Sequence, residues 1–567
     1  PTVGEEDTAA NAEAEAPEAV LDLFDKDGFT TRPIVCPFKG AVDYKPGEIS
    51  CGLLEVPENR EKARPRNIEL HYVKIAARQP EDWDAEENGE WAKRDDPIIY
   101  LTGGPSVKAQ PYVDRLKDHG VRDHRDLYIL EQRGVGWSDD YCNTYPLFDP
   151  SASNTPDRAE YDRAGLKAME ACFASARARK VDLSGYSTIE NARDVEALRR
   201  ALGYDRWNVW GISYGSILGQ AYLKQDPGGI RTAVIDAIVP LQQDVTFHNI
   251  AAYYDRTLNI LEGACLEDAT CAAAFPDFKT SLETAMEKTA ETPIEVEAVD
   301  AELFPSGKGY FFADFVGGGP FSLFYEQDNY ATLPAFINGY AGLVNDGDTD
   351  RFRILTISSA PDSSMSPGMY DAIACNDGWH TAMKRALEED RANFPALSAM
   401  LPDPAVVEEQ ARICKRYGAV PRPTSDYSAV ETDIRTLIVE GAMDPITPPP
   451  LAEKILPGFS NGTYVEFAFA GHGPTRSVDC AGEFLTKFFN DPNGELDTSC
   501  AEGRDAPAFT GRLFETNALA NLVIKASEDR QQLAAPALMI GVPALFLVFG
   551  AIIYTLAPLA RVVNGAP

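Results

Sequence analysis

The sequence predicts an α/β protein, a mostly parallel sheet with helices on both faces, and three observations predict it. Short apolar runs alternate with helical patterns through the first part of the chain. That alternation stops after Pro240 and returns at Thr436. A Gly-x-Ser-x-Gly pentapeptide falls where one apolar run meets the helical pattern after it. Strand–helix–strand order implies parallel neighbours, because a parallel pair needs a long crossover and that crossover is usually a helix.

Ile68-Glu-Leu-His-Tyr-Val-Lys-Ile75 alternates with period two and predicts a strand. Pro97-Ile-Ile-Tyr-Leu101 is a short apolar run that ends at Gly103-Gly104, a buried strand feeding a tight loop. Asp126-Leu-Tyr-Ile-Leu130 is another such run. Ser187-Thr-Ile-Glu190 has capping-box spacing. It opens a helix with Ile189, Ala192, Val195, Leu198 and Leu202 on one side, stopped by Gly203. Trp207-Asn-Val-Trp-Gly211 predicts a strand, Ser213 to Leu223 a helix, and Thr232-Ala-Val-Ile-Asp236 the next strand. Residues 241–430 are mostly helical in pattern, with aromatic- and glycine-rich interruptions such as Gly317-Gly-Gly-Pro-Phe321, and predict an inserted cap domain. Thr436-Leu-Ile-Val-Glu440 and Tyr464-Val-Glu-Phe-Ala468 bring the strands back.

The expected layout is therefore a core in two parts, 31–240 and 431–505, around the 241–430 insertion. Residues 1–30 read as a flexible acidic tail and 506–532 as a linker. Residues 533–560 contain no charged side chain. A bilayer core asks for about 20 apolar residues in a helix, so this run predicts a transmembrane helix. Pro536 suits its first turn, Pro543 kinks it, and Arg561 beyond it favours the cytoplasmic side.

The 567 residues carry 52 basic and 87 acidic side chains, a net charge of -35. A nucleic-acid partner is not expected, because binding one needs a basic face. The ten cysteines contain no C-x-x-C pair and no zinc-ligand spacing with histidine, so neither a metal nor another cofactor is expected. Joining neighbours gives the simplest pairing: Cys36 with Cys51, Cys142 with Cys172, Cys265 with Cys271, Cys375 with Cys414, and Cys480 with Cys500. Spacing alone does not select it. Five disulfides point to an oxidising compartment.

Gly211-Ile-Ser213-Tyr-Gly215 sits between a strand and a helix, where a nucleophile elbow holds its serine. This context predicts an α/β-hydrolase fold. The serine needs a base, and the base needs an orienting acid. In this fold they follow in the order serine, acid, histidine. Of six histidines, His71 lies within a strand, His119 and His124 precede the serine, and His248 and His380 lie in the insertion. His472, in Ala470-Gly-His-Gly473, remains as the base, with Asp444 as the acid. Both follow strands. The N–H of Tyr214 and that of Gly104, in Thr102-Gly-Gly-Pro105, are the expected oxyanion donors.

Taken together, Leu101-Thr-Gly-Gly-Pro105, Glu131-Gln-Arg-Gly-Val-Gly-Trp-Ser138 and Gly211-Ile-Ser-Tyr-Gly215 resemble the prolyl and tripeptidyl aminopeptidase family of serine peptidases. Cys51-Gly-Leu-Leu-Glu-Val-Pro57, Ala372-Ile-Ala-Cys375, Asp444-Pro-Ile-Thr-Pro448 and Gly471-His-Gly473 followed by Cys480 resemble its secreted tripeptidyl branch. The resemblance runs from about residue 36 to residue 505. It implies a helical cap that admits short peptides, and acidic residues that hold the substrate's N-terminal ammonium. Asp377, which follows Cys375 in the matching segment, is the first choice for that role and Glu326 the second. Ser106 and Glu131 depart from the family's usual glycine and aspartate, and Ser106 is expected to narrow the site. Arg133 reads as structural.

The expected protein is a membrane-anchored, extracytoplasmic serine exopeptidase acting on peptides or another acyl substrate. Two alternatives remain. The same triad serves esterases and lipases, because one fold supports many acyl transfers. A hydrolase-like ectodomain can also act as an accessory subunit of a membrane-protein complex.

Overall fold

A computed structural model of the protein describes residues 29–511, apart from 39, 81–83, 86–89, 143–152, 243–247, 301, 349–351, 354–355 and 357–363. The predicted transmembrane segment 533–560, the tail up to residue 28 and the linker beyond residue 511 lie outside the described residues. Among the described residues, no helix is long and apolar enough to cross a membrane.

Eleven strands are described: β1 (Thr30–Ile34), β2 (Ile49–Pro57), β3 (Asn67–Ile75), β4 (Ile98–Leu101), β5 (Leu127–Leu130), β6 (Trp207–Ile212), β7 (Ile230–Asp236), β8 (Ile294–Glu297), β9 (Lys308–Phe311), β10 (Thr436–Gly441) and β11 (Gly462–Phe467). Nine of them form one sheet in the order β1-β2-β3-β5-β4-β6-β7-β10-β11. β1, β2, β3 and β5 pair antiparallel; from β5 to β11 every neighbour is parallel. The parallel strands β4, β5, β6 and β10 are buried at every position. Burial on both faces explains why they read as unbroken apolar runs.

Successive side chains on a strand point to opposite faces. Ile99 and Leu101 therefore enter one apolar cluster, while Ile98 and Tyr100 enter the other. The first cluster is closed by α2 (Arg158–Ala178), α3 (Thr188–Ala201) and α4 (Tyr214–Gln225). The second is closed by α1 (Ala109–Leu116) and by α12 (Asp479–Asn490), which contributes Phe484, Leu485, Phe488 and Phe489. Each large side chain so buried stabilises the fold by about 1.5–3 kcal/mol. In α3, Ser187 Oγ accepts the Glu190 N–H at 3.3 Å, so the capping spacing acts as a cap.

Between β7 and β10 the chain forms α5 (Ile250–Glu267), α6 (Phe278–Thr289), α7 (Ala313–Leu323), α8 (Leu333–Asp346), α9 (Pro367–Asn376), α10 (Trp379–Asn393) and α11 (Pro404–Tyr417), with the hairpin β8–β9. Much of this segment packs around an apolar cluster of its own, which includes Tyr254, Leu258, Met286 and Phe324. Gly317-Gly-Gly-Pro-Phe321 does not interrupt helical structure here; it lies inside α7. Close packing accounts for the glycine: a Cβ on Gly317 would fall 2.6 Å from Met286 Cε. Pro320 lies inside α7 and has no N–H to give the Val316 carbonyl, so the helix forgoes one bond there.

The cysteines form five disulfides: Cys36–Cys51, Cys142–Cys172, Cys265–Cys271, Cys375–Cys414 and Cys480–Cys500. No cysteine is left free. Five disulfides belong to an oxidising environment, since reducing compartments keep thiols free.

Arg133 is fully buried and ties three loops together. It makes two bonds of 2.8 Å to Asp194 and one of 2.6 Å to the Gly185 carbonyl, and it also bonds the Glu58 carbonyl.

Candidate active site

Ser213 caps the tight turn between β6 and α4. It sits at φ 62° and ψ -126°, a conformation that is costly for any residue with a Cβ. Its neighbours explain why the turn holds. A Cβ on Gly211 would fall 2.2 Å from the Gly215 carbonyl oxygen, and one on Gly215 would fall 2.1 Å from that of Leu101. Only glycine lets these backbones approach. The Ser213 N–H donates to the Asp236 carbonyl at 3.1 Å, which fixes the turn to the end of β7.

Asp444 and His472 follow β10 and β11, two neighbouring parallel strands, so both lie at the carboxyl end of the sheet. His472 Nδ1 lies 2.7 Å from Asp444 Oδ2. The other oxygen, Oδ1, accepts the N–H groups of Ile446 at 2.9 Å and Thr447 at 3.0 Å. The Thr447 hydroxyl donates to Asp444 Oδ2 at 2.7 Å and lies 3.1 Å from His472 Nδ1. Asp444 is fully buried and His472 is 5 % exposed. Burial alone would raise the Asp444 carboxyl; the His472 charge and the Thr447 bonds outweigh it and hold the group below its usual range. The acid is therefore ionised, with an imidazole held against it.

The inserted segment braces both loops. The His472 N–H donates to the Tyr325 carbonyl at 2.9 Å, and the Tyr325 and His472 rings lie 4.8 Å apart. Arg256 donates to the Ala442 carbonyl at 2.7 Å, just before Asp444. A Cβ on Gly473 would fall 2.9 Å from Ile212 Cγ2, so the histidine loop rests on the residue before Ser213.

The Gly103-Gly104 turn borders Ser213. A Cβ on Gly103 would lie 3.6 Å from Ser213 Oγ. Gln132 grips this turn from both sides. Its amide donates to the Thr102 carbonyl at 3.1 Å and hydroxyl at 3.0 Å, and its oxygen accepts the Ser106 N–H at 3.2 Å. Glu131, also buried, accepts the Ala109 N–H at 2.9 Å and the Trp137 N–H at 3.0 Å, and lies 3.0 Å from His71 Nδ1. Ser106 is itself fully buried. The Tyr214 N–H stands at the start of α4, where no carbonyl of that helix reaches it. Preorganised donors beside a serine hydroxyl are what acyl transfer requires.

The carboxylates considered for an ammonium differ in setting. Asp377 is buried, and its carboxylate accepts the Thr188 N–H at 3.2 Å, the Thr188 hydroxyl and the Tyr427 hydroxyl. Burial pushes its pKa up to about 6 against those bonds. Glu326 follows Tyr325 and pairs with Arg115 at 3.1 Å. A third carboxylate escaped sequence reasoning. Asp371, on α9, has a buried Oδ2 with no hydrogen-bond partner, and burial pushes its pKa up to about 7. Ser366, the residue before α9, donates its N–H to the Ser106 carbonyl at 3.0 Å, so α9 starts against the Gly103-Gly104 loop. Among the described residues, no cluster of three or more His, Cys, Asp or Glu is placed to hold a metal ion.

Residues 96–474 match the family described as alpha/beta hydrolase fold. The tripeptidyl aminopeptidase of Streptomyces lividans is 23% identical over 385 residues, which cover 62% of this chain and 65% of that protein. This chain thus spans slightly less than two thirds of that relative's length. The serine protease Hip1 of Mycobacterium tuberculosis is 26% identical over 243 residues, 40% of this chain and 43% of Hip1. A probable proline iminopeptidase of Streptomyces coelicolor is 29% identical over 142 residues, 25% of this chain and 32% of that protein. With the family matched from β4 to the histidine loop, over more than half of its length, the chain belongs to the alpha/beta hydrolase fold family.

Proposed function

We propose that this protein is an extracytoplasmic serine exopeptidase, anchored to a membrane through residues 533–560, that removes residues or short peptides from free N-termini. Ser213 is the nucleophile, His472 the base and Asp444 the acid. The observation that carries the triad is the 2.7 Å contact between His472 Nδ1 and the buried Asp444 carboxylate. Fixing Nδ1 as the protonated nitrogen leaves Nε2 free to take the Ser213 proton as Oγ attacks the scissile carbonyl. The imidazolium then protonates the leaving amine, and a water molecule repeats the sequence to release the acyl group. The Gly104 and Tyr214 N–H groups hold the oxyanion. The peptidase part of this reading is supported by the names of the relatives, and the anchor by the charge-free segment near the C-terminus.

An exopeptidase of this kind needs a carboxylate for the substrate's ammonium. Of the three settings, Asp371 fits best. Asp377 already accepts from Thr188 and Tyr427, and Glu326 shares its charge with Arg115. An ammonium bound at Asp371 would draw it from the protonated to the ionised form, gaining an ion pair shielded from water. Asp371→Asn is therefore expected to raise KM for free-amine peptide anilides about tenfold or more, with little change in kcat. N-blocked peptides and 4-nitrophenyl acetate serve as controls. Equal effects on free and blocked peptides would remove Asp371 from the site, and the same panel on Glu326→Gln and Asp377→Asn ranks the other two. Hydrolysis of esters alone would replace the exopeptidase reading with an esterase.

A further inference from the structure

Asp236 has no part in the scheme above, yet it bonds to both halves of it. It ends β7, beside β10, which leads to Asp444. Its main-chain carbonyl accepts the Ser213 N–H at 3.1 Å. Its Oδ2 accepts the Thr475 N–H at 2.9 Å and also the Thr475 hydroxyl. Thr475 stands three residues beyond His472, and its Oγ1 accepts the Trp210 indole N–H at 2.9 Å. Trp210 lies in β6, three residues before Ser213. The nucleophile turn and the histidine loop thus meet at this one residue.

A neutral side chain would serve for a tie alone. Asp236 is fully buried, and its Oδ1 has no hydrogen-bond partner. Keeping a carboxylate there costs stability unless its charge is used. The charges around it show where that use lies. His472 and Arg476 both favour its ionised form. Glu440, on the neighbouring strand β10, is buried as well, and burial together with the Asp444 charge raises its carboxyl well above the usual carboxylate range. His119 reaches the same loop, with Nε2 3.3 Å from the Thr475 carbonyl. Asp236 itself is pushed up to about 6 by burial, against its bonds from Thr475.

We propose that Asp236 is a positioning residue of the hydrolytic site: it locks the Ser213 turn to the His472 loop, and its negative charge supports the imidazolium formed when Ser213 attacks. The inference rests on the Ser213–His472–Asp444 reading. The proton moves from Ser213 Oγ to His472 Nε2 as the Oγ–C bond forms; Asp236 neither takes nor gives one.

The test compares Asp236→Asn with Asp236→Ala in the full chain. Two probes are used, neither requiring a peptide substrate: 4-nitrophenyl acetate hydrolysis and the rate at which a fluorophosphonate labels the protein. In Asp236→Asn the amide oxygen still accepts from Thr475 while the charge is removed and an amide NH2 takes the place of Oδ1. Its kcat and labelling rate should fall about tenfold, the equivalent of one pKa unit, with KM unchanged. A nearby anion raises an imidazole pKa, so removing it should move the acid limb of the pH profile to lower pH. Asp236→Ala also frees the loop and should lose about a hundredfold. Thermal melts report folding separately, and the isosteric Asn variant carries the test if the Ala variant does not fold. An unmoved acid limb in Asp236→Asn would overturn the proposal, whatever Asp236→Ala does. Ser213→Ala runs alongside: labelling that survives there defeats the triad reading instead.

Discussion

Ser213→Ala is expected to lower kcat by roughly a millionfold while the protein stays folded. The size follows from chemistry. Without Oγ there is no acyl-enzyme, and His472 and Asp444 are left holding a proton acceptor with nothing to activate. Fluorophosphonate labelling should vanish with turnover. A second variant checks the geometry. Ser213 sits at φ 62°, where glycine rests without strain. Ser213→Gly should therefore be as inactive as the alanine variant but more stable than wild type by about 1 kcal/mol. Circular-dichroism melts of the three proteins decide it. A glycine variant less stable than wild type would show that the turn is not strained, and residual labelling in either variant would show that another nucleophile is at work.

Arg133→Ala should be the most destabilising of the single substitutions considered, at about 3–5 kcal/mol. The guanidinium is fully buried and grips Asp194 through two bonds of 2.8 Å. It also caps the carbonyls of Gly185 and Glu58. Truncation leaves these acceptors in a dry interior. Asp194 keeps one partner, because Arg60 lies 2.8 Å from it, which places the expected cost nearer the lower figure. Arg133→Lys should recover only part of the loss, since an ammonium cannot reproduce a two-pronged contact and two carbonyl bonds at once. Urea midpoints measure all three proteins. A change below about 1 kcal/mol in the alanine variant would mean that water or Arg60 takes over the site.

Much of the candidate site was legible in the sequence because the proposed chemistry restricts residue types and the fold restricts their order. Ser213, Asp444 and His472 come from three distant strand ends, and each lies in a short motif that only a few residues can fill. The parallel strands were legible because burial on both faces leaves an unbroken apolar run. α2 was not predicted: of its 21 residues only Met169, Cys172, Phe173 and Ala176 are buried, too thin a stripe to stand out. The glycines of α7 misled for a related reason, because a helix packed tightly enough looks like a loop. Thr447 was within a quoted motif, three residues past Asp444, a spacing typical of a loop that folds back onto its own carboxylate. Asp236, Gln132 and Asp371 carried no such signal. The role of Asp236 depends on which strand lies beside which, and that of Gln132 on a loop 30 residues away in sequence. Asp371 lies within α9 and Asp377 caps its C-terminal end, and only their partners tell them apart.

The bond from the His472 N–H to the Tyr325 carbonyl has a further consequence. None of the five disulfides joins the inserted segment to the sheet. The inserted segment is therefore held to the sheet by packing and hydrogen bonds, and one of those bonds belongs to the histidine loop. Any movement that lifts Tyr325 away also unhooks the histidine. The position of the imidazole is thus tied to that of the inserted segment, so a change at Tyr325 reaches the histidine without touching Ser213 or Asp444.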